Sequence, residues 1–212
     1  KIIFCVPTTL IHSFAAKLKK SRILIGAQNC HHSEKFAAVT GSVNASMLKK
    51  SGAKYVILGH SENRIQGDTH QMIKKKIKST LNQKLIAIFC IGESLKEKKN
   101  KKTFSVLKKQ IKSSLDKNFN FRNIIIAYEP VWSIGSGKTP NQKDLSTILH
   151  FIKKEFVKIF KTNALPKVLY GGSVNNKNIN KFSTNDQIDG FLIGGASRSS
   201  KKFIDIIVNY YK

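Results

Sequence analysis

The chain has 212 residues and is 41% hydrophobic, enough for one sizeable core and too apolar for a disordered chain. It carries 38 basic against 12 acidic residues, a formal net charge of +26. No long uncharged apolar run is present, which argues against a membrane-spanning helix. Cys5, Cys30 and Cys90 are odd in number and far apart, which argues against a zinc site or a disulfide framework.

Apolar, β-rich runs recur along the chain with a regular beat. Ile2–Val6 opens the pattern; it is too short for a secretory leader and reads as a strand. Ile23–Ala27, Tyr55–Leu58, Leu85–Ile91, Ile124–Tyr128, Lys167–Tyr170 and Gly190–Ile193 follow. Longer polar stretches with helical spacing separate them. Met72, Ile73, Ile77 and Leu81 form one stripe, and Phe104, Leu107, Ile111 and Leu115 form another. Asp144-Leu145 predicts a helix start, and the tail from Phe203 to Tyr210 reads as a helix.

The β-α-β-α alternation has no linker, and continuous apolar strands imply a parallel sheet covered by helices. An open doubly wound sheet and a closed (β/α)8 barrel both fit. Polar or Gly-rich signals follow nearly every strand: Gln28-Asn29, Gly59-His60, Gly92-Glu93, Glu129, Gly171-Gly172-Ser173 and Gly194-Gly195. Chemistry spread over many strand ends favours the barrel. Seven strands are visible, so the expectation is a single α/β barrel domain over residues 1–212 with about seven of its eight units. The missing strand is expected to precede Lys1.

Lysine dominates the charge, as in Lys74-Lys75-Lys76, Lys96 to Lys102 and Lys108-Lys109. Dense lysine can neutralise phosphates, but no nucleic-acid-binding motif accompanies it. Solvated outer helix faces are the preferred reading, with a field that draws in small anions. The three thiols are expected to be buried and reduced, as in a cytosolic protein.

One segment carries most of the chemistry. The apolar run Ile124–Ala127 leads to Glu129, Pro130 stiffens the exit, and a Gly-rich loop follows at residues 134–138. A carboxylate at the end of a buried strand, under a loop that excludes water, is placed to act as a general base. Gly137-Lys138-Thr139 resembles the end of a phosphate-binding P-loop. That motif requires Gly where this chain has Trp132, and Pro140 interrupts its helix.

Taken together, Val56-Ile57-Leu58-Gly59-His60-Ser61-Glu62, Ala127-Tyr128-Glu129-Pro130-Val131-Trp132, Gly135-Ser136-Gly137-Lys138-Thr139, Leu169-Tyr170-Gly171-Gly172-Ser173-Val174 and Asp189 to Ser197 resemble triosephosphate isomerase. Ala27-Gln28-Asn29-Cys30 and Cys90-Ile91-Gly92-Glu93 add to the resemblance, which runs in order from Lys1 to about Val208.

The resemblance implies a cytoplasmic enzyme of glycolysis and gluconeogenesis. It would interconvert dihydroxyacetone phosphate and D-glyceraldehyde 3-phosphate through an enediolate, without cofactor or metal. It implies Glu129 as the base and His60 as the neutral electrophile, a pair that is a known worked case of pKa tuning. A helix starting at Ser61-Glu62 would keep the imidazole neutral, and Ser61 and Glu62 would support it. Gly135, Ser173, Gly194 and Gly195 would hold the substrate phosphate through backbone N–H groups. Ile134, Gly135, Ser136, Gly137 and Lys138 would form a lid over the enediolate.

The resemblance further implies a homodimer, with Thr40 in the interface loop 37–41. Ser42 and Asn63 stand where the family has a Glu and an Arg. The family's first strand, with an Asn and a catalytic Lys, has no counterpart here; the expectation is an N-terminally incomplete barrel that as given lacks an active-site residue. Two rival readings are a nucleic-acid-binding protein and a degenerate barrel kept as a scaffold.

Overall fold

The computed structural model describes residues 1–34 and 37–211. Seven strands take the sheet order of the chain itself: β1 (Ile2–Val6), β2 (Ile23–Ala27), β3 (Tyr55–Leu58), β4 (Ile86–Ile91), β5 (Ile124–Tyr128), β6 (Lys167–Tyr170) and β7 (Gly190–Phe191). The helices are α1 (Ile11–Lys17), α2 (Ala45–Lys50), α3 (Ser61–Ile65), α4 (His70–Asn82), α5 (Leu95–Lys99), α6 (Thr103–Ser114), α7 (Gln142–Phe160), α8 (Ile179–Ser183) and α9 (Ser200–Tyr210). Two compact units divide the chain: Lys1–Cys90 with Lys112–Ile125, and Ile91–Ile111 with Ile126–Lys212.

In the first unit β1 runs parallel to β2, from Ile2 opposite Ile23 to Val6 opposite Ala27. β2 meets β3 at Gly26–Tyr55, and β3 runs parallel to β4 from Tyr55–Ile86 to Leu58–Phe89. Parallel strands need crossovers long enough to hold a helix, and α1, α2 and α4 occupy them. Val56, Leu58, Ile73, Ile77, Ala87 and Phe89 are fully buried. Burying each large aliphatic chain contributes about 1.5–3 kcal/mol. Helix α4 starts where the Thr69 hydroxyl accepts from the Met72 N–H. The same helix buries Lys76 in a paired state. Its ammonium lies 2.7 Å from both oxygens of Asp68, with Asn29 Oδ1 at 3.1 Å.

In the second unit β6 runs parallel to β7, Leu169 opposite Gly190 and Tyr170 opposite Phe191. α7 buries Leu145, Leu149, Ile152 and Phe156, a stripe at helical spacing. α5 opens with a reciprocal cap: Ser94 Oγ accepts from the Glu97 N–H, and Glu97 accepts from the Ser94 N–H at 2.7 Å.

Several expectations shift in detail. β4 begins at Ile86 and β7 stops at Phe191, two residues earlier than the apolar run. α7 starts at Gln142, because the Asn141 side chain caps it by accepting from the Asp144 N–H; Asp144 lies inside the first turn. Phe104 is 42% exposed and rests its ring against Phe151 at 4.7 Å, so it borders its stripe. Cys30 and Cys90 are buried, Cys5 is half-buried, and none of the three forms a disulfide among the described residues. Burial pushes the Cys30 thiol up to about 11, which leaves it un-ionised at neutral pH. Among the described residues no helix is long and apolar enough to cross a membrane.

Candidate active site

Within the first unit, β3 ends at Leu58, and Gly59 (φ +71°) turns the chain into α3. His60 is the N-cap of that helix, so the predicted helix start at Ser61 is found. The Glu62 N–H donates to His60 Nδ1 at 3.4 Å. A nitrogen that accepts carries no hydrogen, so the neutral ring holds its proton on Nε2. The Glu62 carboxylate lies 3.8 Å from Nδ1 with its side chain 78% exposed, as a first-turn charge would be. Ser61 is half-buried beside it.

Arg64 fixes this turn. Its Nε donates to the Gly59 carbonyl at 2.7 Å and its Nη2 to the Cys90 carbonyl at 2.9 Å. One planar fork thus ties the end of β3 to the end of β4 within the same unit. Thr40 sits in an exposed turn with Gly41.

Within the second unit, Glu129 follows directly on β5 and is 4% exposed. Its N–H donates to the Ile91 carbonyl at 2.8 Å. Two glycines make its position possible by close approach. A Cβ on Gly92 would lie 1.8 Å from the Glu129 carbonyl oxygen, and one on Gly171 would lie 2.6 Å from Glu129 Cγ. The Gly171 position is therefore cleared for the carboxylate side chain. Gly172 in the same pair clears room for the Tyr170 hydroxyl.

The segment after Glu129 is held at both ends. Val131–Ser133 form a short 3-10 turn. The Trp132 indole N–H donates to Glu93 at 2.8 Å, and the Tyr128 hydroxyl donates to the same carboxylate at 3.1 Å. Glu93 is 1% exposed. Burial raises its carboxyl above the ordinary value, and the bonds from Trp132 and Tyr128 and the charge of Lys98 pull the other way. Burial, then the Glu93 charge, raises the Tyr128 phenol well above its usual value.

Ile134 is half-buried, and Gly135, Ser136, Gly137 and Lys138 are exposed. Gly135 and Gly137 adopt φ of +66° and +73°, the left-handed region open to glycine. The Gly137 N–H donates to Ser173 Oγ at 3.2 Å, Ser173 Oγ donates to the Ser133 carbonyl at 2.6 Å, and Ser133 Oγ donates to the Lys138 carbonyl. The structure thus brings Ser173 and the 134–138 segment together. Gly194 and Gly195 stand exposed at a 3-10 turn, Gly195–Arg198, one residue before α9 caps at Ser199.

A family model described as triosephosphate isomerase matches residues 1–210. The chain belongs to the triosephosphate isomerase family. The triosephosphate isomerase of Dictyoglomus thermophilum is 41% identical over 212 residues, covering 98% of this chain and 85% of the relative. That of Alkaliphilus metalliredigens is 36% identical with the same coverage. The crystal structure of triosephosphate isomerase from Bartonella henselae superposes with a TM-score of 0.90 at 35% identity, over 99% of this chain and 86% of that one. The seven-stranded parallel sheet is thus that of a TIM-barrel α/β fold, and the chain is an isomerase.

The sequence motifs assign no role to several residues of this triosephosphate isomerase family member that the geometry brings forward. Arg64 is one of only four arginines among 38 basic residues. Where a lysine-rich chain keeps an arginine, its two-pronged donor geometry is worth a look. Glu93 follows Gly92 after an apolar run, the same strand-end pattern that singles out Glu129. Ser133 carries no such signal, because its role depends on partners 5 and 40 residues away.

Proposed function

We propose that this isomerase interconverts dihydroxyacetone phosphate and D-glyceraldehyde 3-phosphate with Glu129 as the base and His60 as the electrophile. Glu129 takes a proton from one carbon of the bound triose phosphate. The released electron pair forms the C=C bond of the enediolate, and the carbonyl oxygen takes up the negative charge. His60 donates from Nε2 to that oxygen, which lowers the cost of charging it. His60 then gives its Nε2 proton to that oxygen and takes the proton of the neighbouring hydroxyl, whose oxygen becomes the new carbonyl as Glu129 returns its proton to the carbon that first bore the carbonyl.

The observation that carries this reading is the burial of Glu129 at 4% exposure, over a glycine that leaves no room for any side chain but its own. A carboxylate so enclosed is oriented before substrate arrives and is shielded from competing water. The Nδ1 acceptor bond from Glu62 supports His60 as an Nε2 donor. Ser61 and Glu62 support the imidazole. The backbone N–H groups of Gly135, Ser173, Gly194 and Gly195 hold the phosphate, and residues 134–138 act as the lid over the intermediate. The protein works in the cytoplasm as part of glycolysis and gluconeogenesis. It acts as a homodimer with Thr40 at the interface, and sedimentation of a stable monomer at working concentration would remove that assignment.

A coupled isomerase assay on the full-length protein tests the chemistry. Glu129→Asp and His60→Gln should each lower turnover by orders of magnitude while the thermal midpoint holds. Undiminished turnover in Glu129→Asp would refute the base.

A further inference from the structure

Trp132 sits in the Val131–Ser133 turn that leads into segment 134–138 and forms its N-terminal hinge, and it is the only tryptophan in the chain. Its indole is gripped on two sides. The ring N–H points at the buried Glu93 carboxylate at 2.8 Å, and the Lys98 ammonium stands 3.4 Å from the ring centroid. Lys98 belongs to α5, whose first turn is locked by the reciprocal Ser94–Glu97 cap.

The two contacts reinforce each other. An indole that donates its N–H to a carboxylate becomes richer in π density, and a cation over its face is held more firmly. The same cation lies close enough to Glu93 to favour its ionised, accepting form. A long exposed side chain loses rotamer freedom when it settles on a ring, so the contact persists only because this attraction offsets that loss.

We propose that Lys98 is a positioning residue for the lid, clamping Trp132 from above while Glu93 holds it from the edge, and so setting how readily the N-terminal hinge of segment 134–138 moves. The proposal rests on the reading of that segment as a lid. Lys98 does not touch substrate and takes no part in proton transfer. Its effect is on the equilibrium between open and closed loop, and so on how tightly substrate is retained.

The single indole makes the test direct. Emission of Trp132 is followed on adding dihydroxyacetone phosphate to the full-length enzyme, alongside KM and kcat, for the wild-type chain, Lys98→Met and Lys98→Arg. Lys98→Met keeps the apolar stem and removes the charge; it should shift the emission of the free enzyme and raise KM about three- to tenfold, with kcat within about twofold. Lys98→Arg, which keeps a cation over the ring, should return both to near wild-type values. Thermal midpoints within a few degrees would exclude general unfolding. If emission of the wild-type chain ignores saturating substrate, the lid reading fails and this proposal falls with it. If the wild-type signal responds and Lys98→Met responds identically with unchanged KM, the assignment of Lys98 fails alone. Equal losses in Lys98→Met and Lys98→Arg would also overturn it, because charge would then not be the agent.

Discussion

Arg64 Nε donates to the carbonyl oxygen of Gly59 at 2.7 Å, and Gly59 immediately precedes His60. The same guanidinium reaches the Cys90 carbonyl through Nη2 at 2.9 Å. The backbone that carries the proposed electrophile is therefore fixed by a cation that need not touch substrate. Hydrogen bonds to a charged group contribute about 1.5–3 kcal/mol each. Arg64→Gln should lower kcat at least about tenfold. Arg64→Lys should recover little, because one ammonium cannot reproduce the two-pronged geometry. A lowered thermal midpoint with intact kcat would show that Arg64 serves the fold alone.

Gly171 gives a sharper test of the base. A methyl group there would fall 2.6 Å from Glu129 Cγ and 3.2 Å from its Oε1. The side chain of Glu129 can swing away, so the fold should survive Gly171→Ala. Its reactive oxygens would move by about an ångström, a displacement that can cost about 100-fold in rate. The expected result is a large loss in kcat with a thermal midpoint close to wild type. Gly92→Ala should behave differently, since its methyl would meet the rigid Glu129 carbonyl at 1.8 Å, and it should destabilise the protein outright.

Glu93 should make stability depend on pH. Burial raises its carboxyl above the ordinary value, so the folded chain keeps a proton that the unfolded chain has already released. Its contribution is complete below the ordinary carboxylate value and is lost as pH rises through the higher folded one. Glu93→Gln keeps an oxygen that accepts from Trp132 and removes the titration. Thermal midpoints recorded from about pH 4 to 8 should fall with pH more steeply in the wild-type chain than in Glu93→Gln. Parallel profiles would contradict the assignment.

The buried pair in the first unit predicts a stability effect away from the chemistry. Lys76 and Asp68 side chains are 6% and 8% exposed and lie 2.7 Å apart. Asp68→Ala would strand a buried ammonium and should cost about 3–5 kcal/mol in chemical unfolding. Replacing both partners, as in Lys76→Met with Asp68→Leu, should recover most of that loss. Failure of the double variant to recover would mean the pair holds more than its own charges.

The legibility of this protein in its sequence follows from the range of the forces involved. Five of the seven predicted strands have the bounds read from their apolar runs, because a buried parallel strand imposes a continuous local pattern. β7 ends at Phe191, short of its apolar run: Leu192 still donates its N–H to the Tyr170 carbonyl at 3.0 Å, but where pairing stops depends on the partner strand and not on apolar character. α7 starts at Gln142, two residues before the predicted Asp144, because Asn141, rather than the apolar stripe, sets it.

Sequence alone determined the alternation of elements, the family motifs and the identity of Glu129 and His60 as candidate chemistry. Those signals are local in the chain, written in periodicity and short spacing. Tertiary structure decided why Gly171 and Gly92 must be glycine, which carbonyls Arg64 holds, and that Lys98 and Glu93 grip opposite aspects of one indole. Apart from the Gly59 carbonyl, five residues from Arg64, each of these depends on atoms brought within a few ångströms from positions tens of residues apart, and no one-dimensional pattern encodes that distance.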